Sequence, residues 1–191
     1  MTNIPELIKT NATRWAACTP TQALLPTLDA TAKRLCAPDA KQKYQTVSAK
    51  TGVPWYIIAV IHEREASQSW KANLAQGDPW NRVSIHVPRG EGPFSSWEEA
   101  AIHALTADPP HASHWQNWAP GGAMTLLEEY NGLGYAARGK PSPYVWASTN
   151  QYVKGKYVSD GHYDPNAIDH QLGCAAILKR MMLLDSSIKL A

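Results

Sequence analysis

From Pro54 the chain reads Pro-Trp-Tyr-Ile-Ile-Ala-Val-Ile-His-Glu-Arg-Glu, with Trp55, Ile58, Ile61, His62 and Glu65 recurring at steps of three and four residues. That spacing is one face of an α-helix, and a proline suits its first turn. The face is apolar until its last turn, where charge arrives abruptly. Such a helix must be covered, and the flanking sequence supplies partners of the same period. Residues 26–35 and 39–50 have alanine-rich helical spacing; Asp39 can cap the second helix, and Thr51-Gly52 ends it. Ser96-Trp97-Glu98-Glu99 has capping-box spacing ahead of Ala101, Ile102 and Leu105, and Asp108-Pro109-Pro110 is a stop signal. A helix is expected over 122–130, halted by Gly132 and Gly134. A final one is expected to open at Asp164-Pro165 and continue through Ile168, Leu172, Ala175, Leu178 and Met182. Between these lie a Gly- and Pro-rich stretch, 77–94, with a short alternating run from Val83 to Val87, and an irregular, tyrosine-rich stretch from 135 to 163. The first reads as a loop or a small β-hairpin lobe. The fold class expected is mainly α, with a small irregular or β-hairpin lobe.

Composition narrows the function classes. At 191 residues the chain suits one domain, and a 44% apolar share can fill its core. Charged residues make up only 18%, below the roughly 25% usual for soluble domains, which argues against disorder and coiled coil. Eighteen basic against sixteen acidic residues give a net charge of +2, too balanced for a chain that lives on phosphate charge, so no nucleic-acid partner is expected. Cys18, Cys36 and Cys174 are far apart and form no CxxC, so neither a zinc knuckle nor a disulfide framework is indicated. No 18 apolar residues run together, and the first fifteen lack the apolar run of a secretory signal. No membrane span is expected. The protein is expected to be made in the cytoplasm, to be a monomer, and to reach any outside target by another route. Sixteen of its seventeen aromatic residues are Trp or Tyr. Each carries a polar handle that needs a partner when buried, as an amphipathic groove would explain.

The segment 57–68, IIAVIHEREASQ, is where chemistry is concentrated. A carboxylate at the end of an apolar helical face lies near hydrocarbon, which disfavours its charged form and makes it a general acid. Glycoside cleavage needs such an acid to protonate the leaving sugar oxygen. Glu65 shares the face of Ile58 and Ile61. Glu63 sits about 200° away around the helix and takes a supporting or solvent-facing role. A solvated helix end is the alternative reading of the same residues.

AVIHEREAS, LAQGDPW, LEEYNGLGY and PYVWASTNQYVKGKYV together resemble the lysozyme superfamily, in particular bacteriophage endolysins and lytic transglycosylase or goose-type lysozyme relatives. The likeness spans about residues 53–160. It implies a lysozyme-like domain over 1–191, with N-terminal helices to 52, a catalytic core over 53–163 and a C-terminal helix over 164–191. It also implies cleavage of the peptidoglycan strand between N-acetylmuramic acid and N-acetylglucosamine, on the cell wall after release or delivery. Arg64-Glu65-Ala66-Ser67 resembles the family's Glu-Ser element but departs from it, with Ala66 in the serine place. Glu129 to Tyr135 is similar to its Tyr-Asn-Ala-Gly motif, which makes Tyr130 and Asn131 sugar contacts. Tyr144-Val145 and Tyr157-Val158 each resemble its late Tyr-Val element. The family's Gly-Leu-Met-Gln element is not evident. A lytic transglycosylase, a chitinase or chitosanase on the same scaffold, and a non-catalytic glycan-binding module are the alternatives.

Hydrolysis with inversion needs a second carboxylate as base. Asp78 in GDPW is the candidate, with a turn-forming role as its alternative; Glu91 and Asp160 are weaker candidates. Indole faces suit the apolar side of a sugar ring, and Trp70 and Trp80, which bracket the loop after Glu65, are candidate subsites. Trp115, Trp118 and Trp146 are further ones, whereas Trp15 and Trp97 fall on core spacing. His111 and His114 form HxxH, but no His/His/Cys or His/Asp spacing supports a zinc mechanism, so no metal or other cofactor is expected.

Overall fold

The computed structural model describes residues 2–75, 77–86 and 88–191. Gln76 of LAQGDPW and Val87 of the alternating run lie outside the described residues. Among those described the chain is mainly helical, with one small two-stranded sheet. Two compact units share it: one extends to Lys33 and resumes over Asn117–Ala191, and the other is Arg34–Gln116.

In the first unit, α1 (Ile4–Ala17) begins at Asn3, whose side chain accepts from the Glu6 amide, and carries Leu7, Asn11 and Trp15 as a buried stripe at four-residue spacing. Its main partner is α6 (Pro120–Tyr130), buried from Gly121 to Glu128 without interruption. The two approach at Gly121, where a Cβ would lie 2.3 Å from the Ile8 carbonyl oxygen. Asn11 Nδ2 donates to Thr125 Oγ1 across the buried contact, 3.2 Å apart. Two single-turn helices follow, α7 (Gly134–Ala137) and α8 (Pro143–Trp146), then β1 (Lys156–Ser159), β2 (His162–Asp164) and the closing α9 (Cys174–Leu184). The strands pair antiparallel, with Tyr157 opposite Tyr163 and Lys156 opposite Asp164. Trp146 is fully buried and its indole donates to Glu128.

The second unit centres on α4 (Trp55–Ala66). α3 (Pro38–Thr51) packs against it and against α5 (Trp97–Thr106). Every residue of α4 from Trp55 to His62 is buried, so the helix is covered all round rather than on one face. Each of its Ile and Val side chains contributes roughly 1.5–3 kcal/mol. Gly52 ends α3 with φ +74°, as its place in the sequence requires. Ser96 caps α5 through the Glu99 amide at 3.1 Å, while the Glu99 carboxylate turns back to the Ser95 amide at 2.7 Å. α2 (Leu25–Leu35), with Leu28, Ala32 and Leu35 buried, runs across the boundary between the units. No helix among the described residues is long and apolar enough to cross a membrane.

Four local expectations need correction. Pro54 stands just before α4 as its N-cap, and Asp39 sits inside the first turn of α3, where Ala37 is the N-cap. The last helix begins at Cys174, not at Asp164-Pro165. Asp164 instead pairs with Lys156 in the hairpin, and its carboxylate accepts from the Asn166 amide at 2.8 Å. The hairpin therefore lies at 156–164, inside the stretch expected to be irregular. The described residues of 77–94 form the irregular lobe, and among them Pro79 makes an isolated bridge to Ala72. Their alternation fails as a core strand because it is inside out: Ser84 is buried while Val83 and Ile85 are exposed.

Candidate functional site

Glu65 stands in the last turn of α4, half-buried, three residues after the end of the buried run Trp55–His62. The helix ends in two consecutive left-handed residues, Ser67 (φ +49°) and Gln68 (φ +57°), a conformation that L-residues adopt at a cost. Their amides return to the Glu63 and His62 carbonyls at 2.9 and 3.2 Å, closing the helix as a glycine cap would. Glu63 is ion-paired to Arg34 at 2.9 Å.

A partly buried relay holds this turn. Arg34 donates to Gln68 Oε1, and Gln68 Nε2 donates to the Tyr44 hydroxyl at 3.1 Å and to the Arg34 carbonyl at 3.3 Å. His62 Nε2 lies 3.0 Å from the Ser69 carbonyl, which can only accept, so Nε2 carries the proton. Nδ1 then accepts from Tyr44, also at 3.0 Å. Burial pushes His62 down to about 4, and the Arg34 charge acts the same way, against the Ser69 bond. Burial pushes the Tyr44 hydroxyl up. Trp70 packs on Tyr44, His62 and Trp97 with ring centroids 4.6–5.3 Å apart. Beside the turn is an open pocket of about 530 Å³ whose lining includes Arg34, Asp39, Ser67, Gln68 and Trp70.

Trp80 is half-buried and donates its indole N–H to the Trp70 carbonyl at 2.8 Å, tying the two candidate subsites to each other. Gly77 crosses the end of α4 closely: a Cβ there would lie 3.2 Å from the Glu65 carbonyl oxygen. Asp78 is buried and organises the lobe. It accepts from the Ile85 and His86 amides at 2.9 and 3.0 Å and from His86 Nδ1 at 2.6 Å. The bonds from His86 hold its carboxyl below the usual carboxylate range. A low pKa and three accepted bonds are the properties of a loop anchor and weaken a general base.

In the first unit, Tyr130 is half-buried at the end of α6 and Asn131 follows it exposed. Tyr144 is only 3% exposed and Trp146 fully buried, so both are core residues closed to a ligand. Tyr157 is half-buried; its hydroxyl donates to the Gly134 carbonyl and accepts from Arg138 Nε at 2.9 Å. Arg138 also lies over the Tyr157 and Tyr163 rings, and the Tyr157 and Tyr135 hydroxyls find their partners within this cluster. An open pocket of about 750 Å³ among Asn3, Glu6, Arg14, Leu133 and Lys140 contains none of the candidate catalytic or sugar-binding side chains.

The relay through Arg34, Tyr44 and Gln68 was not found from sequence, nor was a second cluster. Glu91, His103 and Asp108 bring one ligand-type atom each to within 4.8 Å of one another, with His103 Nε2 3.3 Å from Glu91 Oε1. Burial and the neighbouring Glu91 carboxylate push Asp108 up to about 7, while His103 and His111 act in the opposite sense. The HxxH pair lies outside this group, and its two rings stack 5.8 Å apart. Compared with family models, with curated proteins and with solved structures, the chain matches none.

Proposed function

We propose that the protein is a lysozyme-like glycosidase that cleaves the peptidoglycan strand between N-acetylmuramic acid and N-acetylglucosamine, with Glu65 as general acid. The observation that carries this reading is the half-buried position of Glu65 in the last turn of a helix buried from Trp55 to His62, braced by the turn that follows. Glycoside cleavage needs a carboxyl placed to deliver a proton to the leaving oxygen as positive charge builds on the sugar ring, and the end of an apolar helix suits one. Glu63, committed to Arg34, is a positioning residue. The pocket beside the turn combines the Trp70 ring with polar groups, the mixture that suits a sugar's apolar face and hydroxyl rim. Tyr130 and Asn131 are proposed sugar contacts on the strength of the sequence resemblance.

The commitment of Asp78 to its loop favours a second reading, a lytic transglycosylase, in which the sugar's own 6-hydroxyl attacks and no base of this kind is required. Mass spectrometry of products from purified peptidoglycan separates the two: reducing muramic ends mean hydrolysis and 1,6-anhydro ends mean transglycosylation. Glu65→Gln should lower either rate by about 10²–10⁴ while the variant stays folded. Wild-type turnover by that variant would remove Glu65 from the mechanism. Activity on chitin but not on peptidoglycan would reassign the substrate.

A further inference from the structure

The cluster of Glu91, His103 and Asp108 lies wholly within the second unit, and three different parts of the chain hold it. His103 belongs to the last turn of α5, with the Phe94 ring 5.1 Å away. Asp108 follows the helix, its carbonyl accepting from the His111 amide at 2.7 Å. Glu91 comes from the irregular lobe, pinned to Ser84 by amide–carbonyl and amide–hydroxyl bonds of 2.9 and 3.0 Å. Asp108 is 9% exposed, and its Oδ2 is buried without a hydrogen-bond partner. An unsatisfied carboxylate oxygen next to a second carboxylate is costly in the interior. A cation between them removes both the repulsion and the missing partner.

The spacing fits a metal ion. Bonds of about 2.0–2.2 Å in a tetrahedral site set neighbouring donor atoms roughly 3.4 Å apart. The 3.3 Å between Glu91 Oε1 and His103 Nε2 already meets that, and with every pair of the group within 4.8 Å, ligation asks the remaining donors to draw in by at most about 1.4 Å. An imidazole among carboxylates selects a borderline first-row ion over calcium or magnesium, which prefer oxygen alone. We propose that Glu91, His103 and Asp108 bind one divalent transition-metal ion, with zinc as the representative, and that it clamps the irregular lobe to the end of α5. This goes beyond the proposed glycosidase activity and does not depend on it.

The test is calorimetric titration of Zn²⁺ alone into the full chain prepared with chelator and then freed of it, with thermal unfolding in parallel. One ion should bind with a Kd below about 10 μM and raise the melting temperature. Asp108→Asn and His103→Gln should each weaken binding at least about tenfold, the loss that even removal of an outer partner brings. A His114→Ala variant should bind as wild type does. No binding by the wild type at 100 μM on the same scale, unchanged affinity in Asp108→Asn or His103→Gln, or loss in His114→Ala would overturn the site. Should a single variant fail to fold, X-ray absorption of the zinc-loaded wild type decides. One imidazole with oxygen ligands near about 2.0 Å supports the assignment, and two or more imidazoles refute it.

Discussion

Mild acid should destabilise this protein through His62. Its ring is fully buried, and its one proton is committed to Ser69 while Nδ1 accepts from Tyr44. In the unfolded chain an imidazole protonates near pH 6.5, whereas here burial keeps it neutral down to about 4. Below pH 6.5 the unfolded chain therefore binds a proton that the folded chain refuses. The stabilisation is complete above pH 6.5 and is lost as pH falls towards 4. A gap from about 6.5 to about 4, at about 1.4 kcal/mol per pH unit, amounts to roughly 3 kcal/mol. That is a large part of the 5–15 kcal/mol typical of a domain. Urea unfolding of wild type and His62→Gln at intervals between pH 7.5 and 4.5 measures it. The stability difference between them should shrink by up to about 3 kcal/mol on acidification. A constant difference across the range, or a folded-state His62 ring titrating near pH 6.5 by NMR, would refute the reasoning.

Tyr44→Phe should cost about 1–3 kcal/mol in the same denaturation assay, because it leaves His62 Nδ1 without its donor and Gln68 Nε2 without one of its two acceptors. Gly121→Ala should destabilise by about 1–3 kcal/mol through overpacking, since the added carbon meets the Ile8 backbone and α1 and α6 must separate; a melting temperature equal to wild type would contradict the close approach. Ser96→Ala should lose about 1 kcal/mol with the α5 cap, detectable as a lowered urea midpoint at unchanged slope.

Helices were legible in this sequence wherever their signals are local. The Ser96 cap, the Gly52 stop and the apolar run of α4 each depend on neighbours within a few residues. Asp164-Pro165 shows the limit of such signals. The same carboxylate that can cap a helix can also close an Asx turn, and pairing of Lys156 with Asp164 decided for the turn. The run from Val83 misled for a related reason: its period is that of a strand, but Ser84 faces inward because its hydroxyl bridges the Glu91 amide and the Pro88 carbonyl. For the candidate site, Glu65 and the turn after it could be located by spacing, whereas the relay that supports them could not. Arg34, Tyr44, His62 and Gln68 come from α2, α3, α4 and the loop, and only packing brings them together.

The paired left-handed residues after α4 act as a compressed spring whose catch is Gln68. Released from Arg34 and Tyr44, the turn would relax towards ordinary backbone angles and carry the end of the helix with it. In a library of variants, tolerance should therefore be uneven over a very short distance. Position 67, exposed and without side-chain duties in the relay, accepts glycine or asparagine readily. Position 68 accepts almost nothing, because the side chain that secures the turn must itself sit in the strained conformation. Selection for a more robust protein would then improve the first of these two neighbours and leave the second alone.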